Sequence, residues 1–148
     1  MASEDALEAA LGALDRKERT AHELASWLEG RGFGRDDIDD VLERLFDAEV
    51  LDDERFARRY AEDKRELKSW GSERIRAALR DRGIADEDVE EALGDGAEEE
   101  VDRAVAILRE RGETLADALE RQRALGALIR RGYDSEIAYE AIRRARRD

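Results

Sequence analysis

Side chains able to do covalent or metal chemistry are few in this chain. It has one histidine, His22, and no cysteine. His22 stands in Thr20-Ala21-His22-Glu23-Leu24-Ala25-Ser26 and opens like the zinc-protease pattern H-E-x-x-H, where two imidazoles one helical turn apart grip the ion. The second imidazole position is Ser26. One imidazole and no thiolate leave a transition metal almost no ligands, so His22 reads as an ordinary helix residue. GRGFG, Gly30 to Gly34, contains G-x-G, but a phosphate-cradling loop needs a strand before it and a helix after it. No βαβ pattern surrounds it, and it reads as a turn. The acidic run from Glu90 to Asp102 lacks the ligand spacing of a calcium loop. It reads as an exposed linker with acids near the positive end of a helix. No catalytic group, cofactor site or metal site emerges, which points to a binding protein rather than an enzyme.

The remaining chemistry is electrostatic. The 148 residues carry a net charge of −13, yet the charge is segregated. Residues 55–83 hold 10 basic and 5 acidic groups, whereas residues 29–54 hold 3 and 11 and residues 84–102 hold 0 and 10. A basic island between acidic blocks presents a local field unlike the global one. Its centre is KRELKSWGSERI, Lys64 to Ile75, with one of the two tryptophans and a glycine break. On a helical wheel Phe56, Tyr60 and Leu67 face a core, Arg58 and Arg65 lie opposite, and Arg76 and Arg80 lie outside Ile75, Ala78 and Leu79. Two neighbouring helices thus expose arginines that ion pairing alone does not account for. Ser72 suits an N-cap, and Trp70 suits a lid over the local core.

The elements that must position these groups are helical. Proline is absent, aromatics are 5%, and Ala, Leu, Arg, Glu and Asp dominate. ELASWLEGRGFGRDDIDDVL, RIRAALRDRGIADEDVEEAL and RALGALIRRGYDSEIAYEAI align without gaps on Arg31-Gly32, Arg82-Gly83 and Arg131-Gly132, spaced 51 and 49 residues apart. Apolar residues recur at helical spacing on both sides of each glycine, with Leu28, Leu79 or Leu128 four before it and Phe33, Ile84 or Tyr133 one after. Each glycine fits the left-handed position just past a helix end, and Asp86, Asp134 and Ser135 suit caps for the helix that follows. Thr20 to Glu23 forms a capping-box pattern. Upstream stripes of Leu7, Ala10, Leu11 and Leu14, of Phe56, Tyr60 and Leu67, and of Ala104, Ile107 and Leu108 add a third helix to each unit. The expectation is an all-α fold of three tandem three-helix repeats, residues 1–50, 51–95 and 96–148. Together these would form an elongated, curved, right-handed-type helical array. The first repeat also has the pattern of a helix-turn-helix, a direct nucleic-acid module being the alternative function. Its second helix, Gly34 to Glu49, carries seven acids against Arg35 and Arg44, which opposes docking on phosphates. The N-terminus lacks a basic leader, and no apolar run reaches membrane-spanning length, so a cytoplasmic location and no membrane partner are expected.

LDDERFARRYAEDKRELKSWGSERIRAALRDRGI, Leu51 to Ile84, resembles the signature unit of the RecX family of recombinase regulators. The matching positions include Asp53, Phe56, Ala57, Tyr60, Gly71, Arg74, Ile75, Leu79 and Gly83, most of them suited to building the fold. ALGALIRRGYDSEIAYEAI resembles the closing repeat of that family. The resemblance implies a protein without catalytic residues or cofactor that binds the RecA recombinase, and a monomer is expected. It would inhibit or remodel RecA filaments on single-stranded DNA, and so restrain recombination and the SOS response. Direct DNA binding would be weak. Arg58, Arg65, Arg76, Arg80, Arg130, Arg143 and Arg144 are the expected partner-facing charges.

Overall fold

The computed structural model describes residues 2–94, 96–112 and 114–147, the side chain of residue 147 excepted. The expected repeat boundary at residue 95 lies outside the described residues. Among those described there are nine α-helices and no strand: α1 (Ala2–Arg16), α2 (Ala21–Gly30), α3 (Arg35–Asp47), α4 (Asp53–Lys68), α5 (Ser72–Asp81), α6 (Asp86–Leu93), α7 (Ala97–Glu110), α8 (Ala118–Arg130) and α9 (Ser135–Arg147). No described helix is long and apolar enough to cross a membrane. By contacts the chain divides into two units, Met1–Ala57 with Leu79–Val89, and Arg58–Ala78 with Glu90–Asp148.

In the first unit Ala6, Ala10, Ala13, Leu24, Leu28, Ile38, Val41, Leu45 and Leu51 form the core. The inward stripe of α1 differs from the expected one. Leu11 is largely exposed and Leu7 and Leu14 sit at the margin, because the small Ala6-Ala10-Ala13 face brings α1 close against α3. The core of the second unit is built chiefly from α7 and α9, with Val101, Ala104, Ile107 and Leu108 packed with Leu128, Tyr133, Ala138 and Ile142.

The three Arg-Gly turns that precede an apolar residue have one geometry. Gly32, Gly83 and Gly132 take positive φ of 92°, 79° and 102°. The next residue's N–H, from Phe33, Ile84 or Tyr133, reaches back to the carbonyl of Leu28, Leu79 or Leu128 at 3.1–3.2 Å. The glycine N–H itself bonds Glu29, Arg80 or Ile129. This double closure, the Schellman motif, satisfies the last carbonyls of each helix and needs a residue without the Cβ penalty. The following caps differ from one another. Asp134 accepts from the N–H of Ile137 as expected, whereas Asp86 already lies inside α6 and receives Arg80 instead.

Two of these turns make a joint with an earlier helix start. Within the first unit, the Arg82 carbonyl accepts the hydroxyl of Thr20 at 2.7 Å, and the Ala21 N–H donates to Asp53 Oδ1 at 2.9 Å. Thr20 simultaneously completes the capping box with Glu23, whose carboxylate also takes a bidentate bond from Arg82 at 2.9–3.0 Å. Within the second unit the Arg131 carbonyl accepts the N–H of Gly71 at 2.8 Å, the Gly132 carbonyl accepts that of Glu73, and Ser72 N–H donates to Glu100 Oε2 at 2.7 Å. Each joint therefore seats the carbonyls of one turn, one in the first joint and two in the second, on one helix start that also receives a carboxylate, from α4 in the first and α7 in the second.

Candidate partner-binding site

The basic island is organised around Trp70. Helix α4 stops at Lys68, and Ser69 adopts a left-handed φ of 57°, so that the Trp70 N–H closes onto the Lys64 carbonyl at 3.1 Å. The half-buried indole then lies between cations: the Arg74 guanidinium is 4.1 Å and the Lys64 ammonium 4.7 Å from its centroid. Tyr60 meets it edge-on at 6.5 Å. The ring quadrupole holds both charges in place. Trp70 is thus a scaffold for positive charge as well as a cover over the helix break.

The wheel of α4 requires correction. Its inward line is Phe56, Ala57, Ala61 and Arg65, while Leu67 is 76% exposed. Residues 57, 61 and 65 are successive positions one helical turn apart, so Arg65 lies over the core stripe and Leu67 runs past it. Arg65 donates to the Leu93 carbonyl at 2.9 Å and to Ser72 Oγ at 3.2 Å. Burial, and then the charge of Arg103, lower its pKa.

Arg76 and Arg80 also depart from expectation, since carboxylates meet both. Arg76 makes a bidentate bond to Glu90 at 2.8 and 3.0 Å and a further bond to Glu73, which raise its pKa. Arg80 pairs with Asp86 at 3.0 Å. In α9, Arg143 pairs with Glu140, and Arg144 bridges Glu98 at 2.9–3.0 Å and Glu140 at 3.3 Å. Arg58 and Arg130 are exposed, and the Arg130 carbonyl accepts from Arg74 at 3.4 Å.

Two grooves collect these groups. Arg58 and Arg65 join Arg103, Glu62, Glu66 and Ala92 around a groove of about 600 Å³. Arg103, unmarked by the sequence reading, is drawn there by its bond to Glu100. Burial pushes the Glu100 carboxyl up, but bonds from Ser72 and Arg103 outweigh it and hold the group below the usual range. Arg143 joins Arg121, Arg146, exposed Tyr139 and Leu125 around a second groove of about 520 Å³. Tyr139, Arg143 and Arg146 share one face of α9 at spacings of four and three, a signal present in the sequence.

The family-pattern residues occupy interior or joint positions. Ala57, Ile75 and Leu79 are fully buried, and Phe56 lies beneath the Arg82 guanidinium at 4.4 Å. Asp53 and Gly71 hold the two joints described above, and Gly83 faces the His22 side chain. Burial raises the Asp53 pKa against the Ala21 hydrogen bond, and the charges of Asp88, Asp52 and Glu23 add to the rise.

Residues 6–45 match the family described as RecX, first three-helix domain, and residues 52–93 match RecX, second three-helix domain. The regulatory protein RecX of Halorhodospira halophila is 35% identical over 149 residues, covering 99% of this chain and 92% of that one. That of Mycobacterium sp. (strain KMS) is 33% identical over 137 residues, covering 87% and 75%. The crystal structure of RecX from Lactobacillus salivarius superposes with a TM-score of 0.86 at 22% identity, over 97% of this chain and 96% of that one.

Proposed function

Because the chain belongs to the RecX family of regulatory proteins, we propose that it binds RecA and inhibits or remodels RecA filaments on single-stranded DNA. Through that contact it restrains recombination and the SOS response, acting in the cytoplasm as a monomer and without catalysis. The observation that carries this reading is the match of both three-helix domains, 6–45 and 52–93, over helices that hold an ordered basic surface. We place the repeats at 1–50, 51–95 and 96–148 and the partner-facing charge on the last two of them, on Arg58, Arg65, Arg76 and Arg80 of the second and Arg130, Arg143 and Arg144 of the third. Intramolecular carboxylates hold Arg76, Arg80, Arg143 and Arg144 in fixed poses. Such poses lower the entropy lost when a partner's acidic groups arrive.

The test is RecA's ATP hydrolysis on single-stranded DNA, titrated with the purified chain. The wild type should inhibit. The double variant Arg58→Ala, Arg130→Ala, which leaves the joints untouched, should need roughly tenfold more protein for half-inhibition at unchanged helicity. Undiminished inhibition by the folded variant removes those two arginines from the contact, and no RecA binding by the wild type sinks the reading. Fluorescence anisotropy with single-stranded DNA alone addresses the helix-turn-helix alternative. Tight RecA-independent binding that collapses between about 50 and 200 mM salt would favour it.

A further inference from the structure

The Arg-Gly Schellman turn followed by an apolar residue occurs three times among the described residues, and two of its copies are engaged. A Cβ built on Gly83 would lie 2.3 Å from the His22 side chain, and one on Gly132 would lie 2.3 Å from Arg74 Cβ. Both glycines are pressed onto the start of a helix. A Cβ on Gly32 meets nothing within 4 Å. The first turn therefore has the same carbonyl, the same left-handed glycine and the same preceding arginine as the other two, with open space in front.

Its surroundings favour a negative group. The guanidiniums of Arg31, Arg19 and Arg16 lie 5.0, 5.5 and 5.6 Å from the centroid of one half-buried ring, Trp27. Three cations around one indole repel each other, and a carboxylate brought among them relieves that repulsion. The joint in the first unit shows how such a carboxylate arrives. There the arginine before the glycine, Arg82, takes both oxygens of Glu23, three residues after the hydroxyl cap Thr20, while the Arg82 carbonyl takes the cap's hydroxyl. Arg31 and its carbonyl are the matching groups of the first turn.

We propose that the Arg31-Gly32 turn is a docking surface for the start of an α-helix on a partner protein. That helix opens with a serine or threonine N-cap and a glutamate three residues later. The proposal stands whether or not that partner is RecA. The chain's own second-helix starts do not fit the role. The starts of α2 and α5 are filled by Arg82-Gly83 and Arg131-Gly132. The cap of α8 is Asp117, which already accepts from Glu120 N–H and offers no hydroxyl of the kind Thr20 gives the Arg82 carbonyl.

The probe is a hydrocarbon-stapled peptide copying residues 18–30, titrated into the ¹⁵N-labelled full chain. Amide resonances of Gly32 and Phe33 should shift and saturate. The affinity should fall roughly fivefold in Arg31→Glu, and again for a peptide carrying Glu23→Gln, the scale of an exposed bidentate pair. Exposed Arg31 can be reversed without disturbing the turn's backbone bonds, and circular dichroism checks this. No shift at Gly32 with millimolar peptide, or equal affinity in Arg31→Glu, overturns the proposal. Concentration-dependent self-association in sedimentation that Arg31→Glu abolishes assigns the surface to a second copy and overturns the stated occupant.

Discussion

The joint at Thr20–Arg82 and the joint at Gly71–Arg131 solve one problem with different atoms. Both seat an Arg-Gly turn on a helix start, and both satisfy the first helical N–H with a carboxylate from the next repeat. The first works through side chains: a hydroxyl, a capping box and a bidentate ion pair. The second works through backbone, with Gly71 and Gly132 so close that a Cβ on Gly71 would stand 2.5 Å from the Gly132 carbonyl group. A side-chain joint can yield to substitution by rotating a rotamer. Direct contact of two backbones cannot, since neither has a side chain to move.

The largest effect should follow from adding one methyl group to each turn glycine. All three take positive φ, so Ala costs about 1 kcal/mol everywhere from the conformation alone. Gly132→Ala adds a clash with the backbone and Cβ of Arg74, and a total of about 3 kcal/mol is expected in urea unfolding. Gly83→Ala meets the Cβ and Cγ of His22, and since that Cβ is fixed by the α2 backbone the cost should stand well above that of Gly32→Ala, short of Gly132→Ala only by the direct backbone contact. Gly32→Ala meets open space and should show the conformational cost alone. Equal costs at Gly32 and Gly132 would break the comparison. A smaller loss is expected in the side-chain joint. Thr20→Val keeps the shape but removes both the cap and the bond to Arg82, for about 1.5 kcal/mol.

These turns are legible in sequence because a helix end is a local event. Arg-Gly followed by an apolar residue specifies the left-handed break, and Thr20 to Glu23 specifies a cap, within a window shorter than a helix. Helix phase is less local. Spacing puts the stripe of α4 on Phe56, Tyr60 and Leu67; Phe56 is buried, but Ala57, Ala61 and Arg65 continue the inward line, because small alanines let the helix sit close and Arg65 finds the Leu93 carbonyl. The ion pairs are the least legible. Arg76 meets Glu90 fourteen positions on, and Arg144 meets Glu98 forty-six positions back, partners set by packing of separate helices. A basic island counted along the chain therefore overstates the charge that stands unneutralised. Gly71 shows the opposite limit, since the sequence marks it as a break and only the fold gives it a neighbour.

The smallest effect concerns the two joint carboxylates, which carry opposite pKa shifts for the same hydrogen-bonding task. Glu100 is held below its ordinary value, so it contributes stability that is present above the unfolded pKa and lost as pH falls through the folded one. Asp53 is held above its ordinary value by burial and three neighbouring acids, so its ionisation weakens the fold as pH rises from the unfolded to the folded pKa. Neutral amides separate these cases. Asn at position 53 still offers an oxygen to the Ala21 N–H while removing the repulsion. Asp53→Asn should therefore unfold at equal or slightly higher urea than wild type at pH 7, with the advantage shrinking as pH falls and wild-type Asp53 protonates. Gln at position 100 keeps an acceptor for Ser72 but gives up the ion pair with Arg103. Glu100→Gln should lower the midpoint at pH 7 and converge on wild type in acid. If both variants moved the midpoint in the same direction at pH 7, the two joints would share one electrostatic design, and their difference would reduce to the glycines.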